Sequence, residues 1–468
     1  MSYYKLIFNI ILKQKIIPCK KHLILAILRL EKNNQNQNQP MDLKKMFLER
    51  PAHNLKSIDG IRAIAVLWVI IFHVWIFQHN TYPELLGKVA QNPFLVWITK
   101  GDLGVDLFFV ISGFLIGTIL FKEYKRTQTL DFKSFYLRRF LRLFPVYFFS
   151  MIIALFFLHG AGAEKWVTAW SNLLYVNNYV FKSYMGWTWS LAIEEQFYIV
   201  IPFLIVFLFP KFRKKWILFS VLAIIPVVLT YYYSVHIFNF EIPYNREIFC
   251  EQWQEWFWGY YMLTHLRYGG LLSGVIAAYI HVNHSEKAVH FFKHKTKLSN
   301  FLIVLSLASF AIITSLSLGQ AAPVEESIFY DLPKKFVVCY EVIHRELFSY
   351  AVVFIVMACL YSKSRIIKPV NTFLSAKIFY PIAKISYSIY LFHVMFMEWL
   401  FPMISEYAEG SLTSLQIVFV NGIISLVGSV AVAALMVIFI EEPFNTLKNT
   451  LTSKKQRSAS TVSTVSNL

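Results

Sequence analysis

Charge is scarce in this chain. Only 15% of its 468 residues are charged, against 57% hydrophobic and 18% aromatic. That excludes an ordinary soluble domain, where about a quarter of residues carry charge. Acidic residues are the scarcer sign, 27 against 45 Lys and Arg, which leaves a formal charge of +18. Cysteine is scarcer still: four residues set no disulfide framework. Cys250 and Cys339 both fall in predicted outer loops and could pair in an oxidising compartment, but unpaired thiols are the default expectation. Internal repeats and paired Gly/Pro-broken helices, the marks of many transporters, are also missing. No metal is expected.

Apolar runs fill the chain instead. Stretches of about membrane-spanning length recur near 58–78, 100–121, 139–158, 188–209, 216–234, 263–282, 299–318, 347–362, 382–404 and 413–440. The expected fold is therefore all-α, a polytopic membrane protein of about ten transmembrane helices. Basic residues crowd alternate loops: six lie in Lys122–Arg139 and four each in Lys211–Lys215, Lys287–Lys297 and Lys363–Lys377. Loop 79–99 holds Lys88 only, 235–262 holds Arg246 only, and 401–412 holds none. This bias puts both termini in the cytoplasm and loops 79–99, 159–187, 235–262, 319–346 and 401–412 outside. It also reads the +18 as topology, so no nucleic-acid partner is expected. Loop 319–346 fits least well, because it carries Lys334, Lys335 and Arg345.

The membrane domain is expected over 47–445. Residues 1–46 read as a basic segment with an Asn/Gln-rich linker, in which Met41 or Met46 could be the real start, and 446–468 as a disordered cytoplasmic tail. The segment Leu6–Leu30 is interrupted by lysines and lacks a small-residue cleavage site, which suits a stretch lying on the inner membrane surface.

Within the first run, Arg62 and His73 have ten residues between them. Eleven helical steps return to within roughly 20° of the same face, about 16 Å along the axis. An ionisable group at the membrane centre costs on the order of 2.5–3.5 kcal/mol, so two on one stripe point to a functional face. The second run opens as GDLGVDLFFVISGFLIG, Gly101–Gly117. Its glycines suit close helix packing. Asp102 and Asp106 share a face near the end that His73 reaches, and a carboxylate there could orient a histidine base.

FYLRRFLRLFP, Phe135–Pro145, sets Arg138, Arg139 and Arg142 at the cytoplasmic entrance of the third run. Such a fork suits phosphate, though inner-surface arginines are also ordinary topology anchors. TWSLAIEEQFYIVIP, Thr188–Pro202, buries Glu194 and Glu195, with Ser190, Glu194 and Tyr198 on one face. Together with His73 and Asp106 these carboxylates would define an outward-facing polar pocket. SYSIYLFH, Ser386–His393, adds a second intramembrane histidine, for which a hydrogen bond between helices is the commoner role. Glu441-Glu442-Pro443-Phe444 closes the last run, with the proline ending the helix. Aromatics from Trp253 to Tyr261 suit either a sugar-binding surface or an interfacial belt.

In this order the motifs resemble the acyltransferase 3 family of integral membrane acyltransferases, over about residues 55–445. The resemblance implies ten helices and transfer of an acetyl group from cytoplasmic acetyl-CoA to hydroxyls of cell-envelope or exported carbohydrate. It implies a multi-pass protein of the bacterial inner membrane. By it, His73 matches the essential histidine, Arg62 its basic partner, Arg139 and Arg142 the Arg-x-x-Arg motif, and Glu194 the helix-four carboxylate. His73 would then be a general base or a transient acyl carrier, oriented by Asp106 or Glu194. Arg62, Arg139 and Arg142 would hold the donor's phosphates. Glu442 departs from relatives that carry a basic residue before this proline. Some relatives also carry a fused periplasmic domain; without one, transfer to a carbohydrate or lipid-linked glycan would finish in the membrane domain or on a separate periplasmic partner. The rival expectations are a glycan or lipid transporter, whose pathway the same charges would line, and an acyltransferase of a non-carbohydrate acceptor.

Overall fold

The structure is a computed structural model and describes residues 43–51, 54–157, 167–239, 251–316, 333–408 and 410–448. Most of the basic segment, the tail beyond Lys448, Arg246 and Cys250 lie outside the described residues, and with Cys250 the question of its pairing. The principal unit runs from Arg50 to Lys448; the short helix Leu43–Leu48 belongs to a separate unit.

Ten principal helices build the unit. They are α1 (Lys56–His79), α2 (Leu103–Thr127), α3 (Phe132–Phe157), α4 (Trp189–Phe203) and α5 (Lys215–Tyr232), followed by α6 (Gly269–Asn283), α7 (Thr296–Ser315), α8 (Lys334–Tyr361), α9 (Phe379–Ala408) and α10 (Ser414–Met436). Among the described residues, eight helical stretches are long and apolar enough to cross a membrane. The two expected spans outside that set are α3 and α6. The basic residues of α3 gather in its first half and leave 143–157 uncharged, and α6 is a shorter apolar helix of 15 residues. The chain is thus an all-helical multi-pass membrane protein.

Two boundaries differ from expectation for stated reasons. Pro443 does not end the last helix: an i→i+5 turn, Val437–Glu441, precedes it and helix continues to Lys448. The wide turn has already broken the α register, so the proline's missing N–H removes little there. Loop 319–346 is partly helix, because α8 starts at Lys334 and takes Cys339 and Arg345 into its first half.

The glycines of α2 are packing devices. A Cβ on Gly113 would overlap the Leu271 carbonyl of α6, and one on Gly274 of α6 would overlap the backbone of Val110 and Phe114. A Cβ on Gly117 would lie 2.8 Å from Ala278 and 3.2 Å from Val275, while Gly104 meets Ala65 and Val69 of α1. Backbones therefore touch where side chains would normally separate them, and α2 becomes a central post with α1 and α6 pressed against it. Phe109, Val110, Phe114 and Leu120 fill the remaining contacts and are all but inaccessible.

Gly113→Ala is expected to destabilise the purified protein by about 1–3 kcal/mol through overpacking. Gly87→Ala, where no atom lies within 4 Å of the added carbon, serves as the control. Thermal unfolding followed by tryptophan fluorescence should show a lowered midpoint for the first variant only.

Candidate active site

Two helices bring the predicted arginines together. Arg62 from α1 and Arg139 and Arg142 from α3 line one cavity of about 150 Å³, opposite Glu194 and Tyr198 of α4. One wall is α2 from Val105 to Ile119, a stretch of roughly 20 Å at 1.5 Å per residue, so the space is long and narrow. Arg62 donates to Ser386 Oγ at 3.2 Å. The Arg139 guanidinium lies over the Tyr198 ring, 4.0 Å from its centroid, and its buried Nε has no partner. Among the described residues no hydrogen bond reaches Arg142, the most exposed of the three. A cluster of guanidinium donors with unused N–H groups has the chemistry that suits a multiply charged anion. Arg138, by contrast, points away, 4.0 Å from Glu123.

Glu194 belongs to this arginine cavity. Tyr198, one turn on, donates to its Oε2 at 2.6 Å, and Ser112 of α2 donates to the same oxygen at 3.2 Å. Ser112 and Tyr198 also contact each other directly. The spacing-four face of α4 is therefore real, but it turns toward the arginines instead of forming an outer pocket with His73 and Asp106. Two further residues that sequence reasoning did not assign there line the cavity. Glu441 accepts from Ser388 Oγ at 2.5 Å, and Lys384 pairs with Glu442 at 3.1 Å. Sequence gave only one hint of Glu441, its place beside Glu442 at the end of an apolar run.

Asp106 is the clearest correction. Both of its oxygens lie 3.3 Å from Arg267 Nη2, and Oδ2 also accepts from Arg345 Nη1 at 2.7 Å. Asp102 accepts from Arg345 Nη2 at 2.5 Å and from the Tyr261 hydroxyl at 3.4 Å. Among the described residues no hydrogen bond joins either carboxylate to His73. The two aspartates are instead neutralised by two arginines, in a cluster whose side chains are only 3–14% exposed. Tyr261 and Trp189 rings lie over Arg267, at 4.5 and 5.0 Å, and Tyr261 also covers Arg345 at 5.0 Å. The aromatic run 253–261 thus turns Trp256, Tyr260 and Tyr261 inward, where Tyr261 covers the ion cluster, so these three form neither an exposed sugar platform nor an interfacial belt.

His73 is half-buried between Phe72 and Phe77. Its Nδ1 lies 2.8 Å from the Val69 carbonyl. A carbonyl only accepts, so Nδ1 carries the hydrogen and Nε2 keeps a lone pair. That is the tautomer a base requires. The imidazole of His393 stands edge-on to it, ring centroids 4.8 Å apart. Tyr390, whose ring centroid is 5.5 Å from that of His393, lines the arginine cavity and so connects it to the histidines.

Comparison with known proteins gives one family. The profile described as an acyltransferase domain, acyltransferase 3, matches residues 55–438. The O-acetyltransferase OatA of Staphylococcus aureus is 28% identical over 425 residues, covering 86% of this chain and 58% of the relative. The peptidoglycan O-acetyltransferase OatA of Listeria monocytogenes is 34% identical over 179 residues, 34% of this chain and 25% of the relative. The chain thus spans a little over half the length of the staphylococcal protein. No solved structure matches.

Arg345→Leu removes the arginine that both buried carboxylates share. Removing one partner from a buried ion cluster typically costs roughly 3–5 kcal/mol, so this variant is expected to fall sharply in folded yield and unfolding midpoint. Arg142→Ala, which removes no described hydrogen bond, should keep both near the parent's values in size-exclusion and thermal-unfolding measurements.

Proposed function

Because the chain belongs to the acyltransferase 3 family, we propose that it is a membrane O-acyltransferase acting between cytoplasmic acyl-CoA, acetyl-CoA first, and a carbohydrate hydroxyl of the cell envelope. Peptidoglycan, the acceptor in the name of the Listeria relative, is the first acceptor to test. In this reading α3 and α6 complete ten membrane spans, both termini are cytoplasmic and the protein sits in the bacterial plasma membrane.

The observation that carries the proposal is the convergence of Arg62, Arg139 and Arg142 on one narrow cavity, with His73 eleven residues along the same helix as Arg62. The cavity fits a coenzyme A donor on two counts: unused guanidinium N–H groups for phosphates and a long apolar wall from Val105 to Ile119 for a thin arm. Arg62, Arg139 and Arg142 would hold the phosphates. The donor supplies a thioester-activated acetyl group. Glu194, held by Ser112 and Tyr198, sets the position of the Tyr198 ring on which Arg139 lies. His73 Nε2 takes the proton from the acceptor hydroxyl as its oxygen attacks, then returns that proton to the departing sulfur.

In a host lacking the protein, expression is expected to add alkali-labile acetyl esters to envelope glycans, read by NMR, and His73→Ala at equal abundance to add none. Esters with both variants would remove His73 from the chemistry. Unaltered acetyl-CoA alongside glycan movement across the membrane would favour a transporter.

For the purified protein, Arg142→Ala or Arg139→Ala should raise the KM for acetyl-CoA roughly 10-fold or more. This corresponds to about 1.5–3 kcal/mol for a hydrogen bond to a charged group. The effect should shrink at high salt.

A further inference from the structure

His393 is fully buried and packed against His73. Its Nδ1 lies 2.7 Å from the Tyr390 carbonyl, so that nitrogen carries the hydrogen and Nε2 is an acceptor. Nε2 in turn lies 3.4 Å from His73 Nδ1, with the two rings at 80°. Each ring therefore has one nitrogen fixed by a carbonyl of its own helix. The only hydrogen left between them is the one on His73 Nδ1, which Val69 and His393 share.

A histidine base becomes an imidazolium as it takes a proton, and its second N–H then needs a strong acceptor. Carboxylates usually fill this place, and α2 offers two near the right end of the bundle. Both are consumed by Arg267 and Arg345. We infer that His393 is the positioning residue for His73, a neutral imidazole standing where a carboxylate is expected and accepting from His73 Nδ1 as Nε2 takes up the hydroxyl proton. This deepens the proposed acyl transfer and rests on His73 being its base. No net proton is gained or lost: the hydroxyl proton moves to His73 Nε2, the C–S bond breaks as the ester C–O bond forms, and the sulfur leaves with that proton. His393 keeps its own hydrogen on Nδ1 throughout. The arrangement continues to the donor cavity, because the Tyr390 hydroxyl donates to the Trp187 carbonyl and bonds Ser190 Oγ, each at 2.7 Å.

The test uses the full-length purified protein with His393→Gln, whose side-chain carbonyl can still accept, and His393→Phe, which fills the space but cannot. His393→Leu replaces the Phe variant if that one does not give a monodisperse protein. Two readouts run in parallel. The first is the rate at which diethylpyrocarbonate acylates His73, followed by peptide mass spectrometry, which needs no natural substrate. The second is kcat and KM for acetyl-CoA turnover. With Phe, both His73 acylation and kcat should fall at least 10-fold with KM for acetyl-CoA within twofold of the parent; Gln should restore both to within about threefold. Phe matching the parent, or Gln falling as far as Phe, would overturn the assignment. If the parent turns over no acetyl-CoA while the acylation rates follow this order, the acyltransferase reading fails and the histidine pair stands.

Discussion

Two arginines on two carboxylates decide how this bundle is used. Arg345 of α8 and Arg267, from the turn before α6, reach Asp102 and Asp106 at the start of α2. In hydrocarbon a lone carboxylate would not be tolerated, so the four groups must meet or the helices cannot pack. The cluster ties α8 and the entrance to α6 to α2 at one end, where Tyr261 and Trp189 exclude water from it. It also assigns the available negative charge to structure, which leaves the imidazole of His73 to be oriented by a carbonyl and another imidazole.

At the other level of the bundle the balance is reversed. Arg62, Arg139 and Arg142 face Glu194 and Glu441 across the cavity while Lys384 is paired with Glu442, four cations against three carboxylates. The surplus is positive and the guanidiniums keep donors to spare. One end of α2 is thus closed by matched charge, while its middle borders a space whose charge is left unmatched. Both conditions depend on the glycine contacts that let α1 and α6 approach the α2 backbone.

Much of this was legible in the chain. Hydropathy is a local property, so the expected apolar runs fall on helices, eight of them long and apolar enough to cross a membrane, and the eleven-residue step sets Arg62 and His73 on one helix. The Arg139–Arg142 step and the Ser190–Glu194–Tyr198 face also survive, because a helical period needs no tertiary knowledge. Partners far apart in sequence were beyond reach. Asp106 meets residues 161 and 239 positions away, and nothing near it in sequence distinguishes that outcome from a contact with His73. Arg345, which fits badly in a loop expected outside the membrane, is a cation out of place by the charge bias that pairs inside the protein. Glu194 meets Ser112 and the arginine cavity for a related reason, since depth along α4 does not say which neighbouring helix its face meets.

The wide turn at Val437–Glu441 has a consequence for how α10 is counted. An i→i+5 turn inserts one residue into a helix and advances everything after it by about 100° in azimuth. Residues before and after the turn that would share a stripe at spacing seven therefore look in different directions. Glu441 faces the arginine cavity because of that phase slip, so the heptad frame of the preceding apolar run cannot be extended through it.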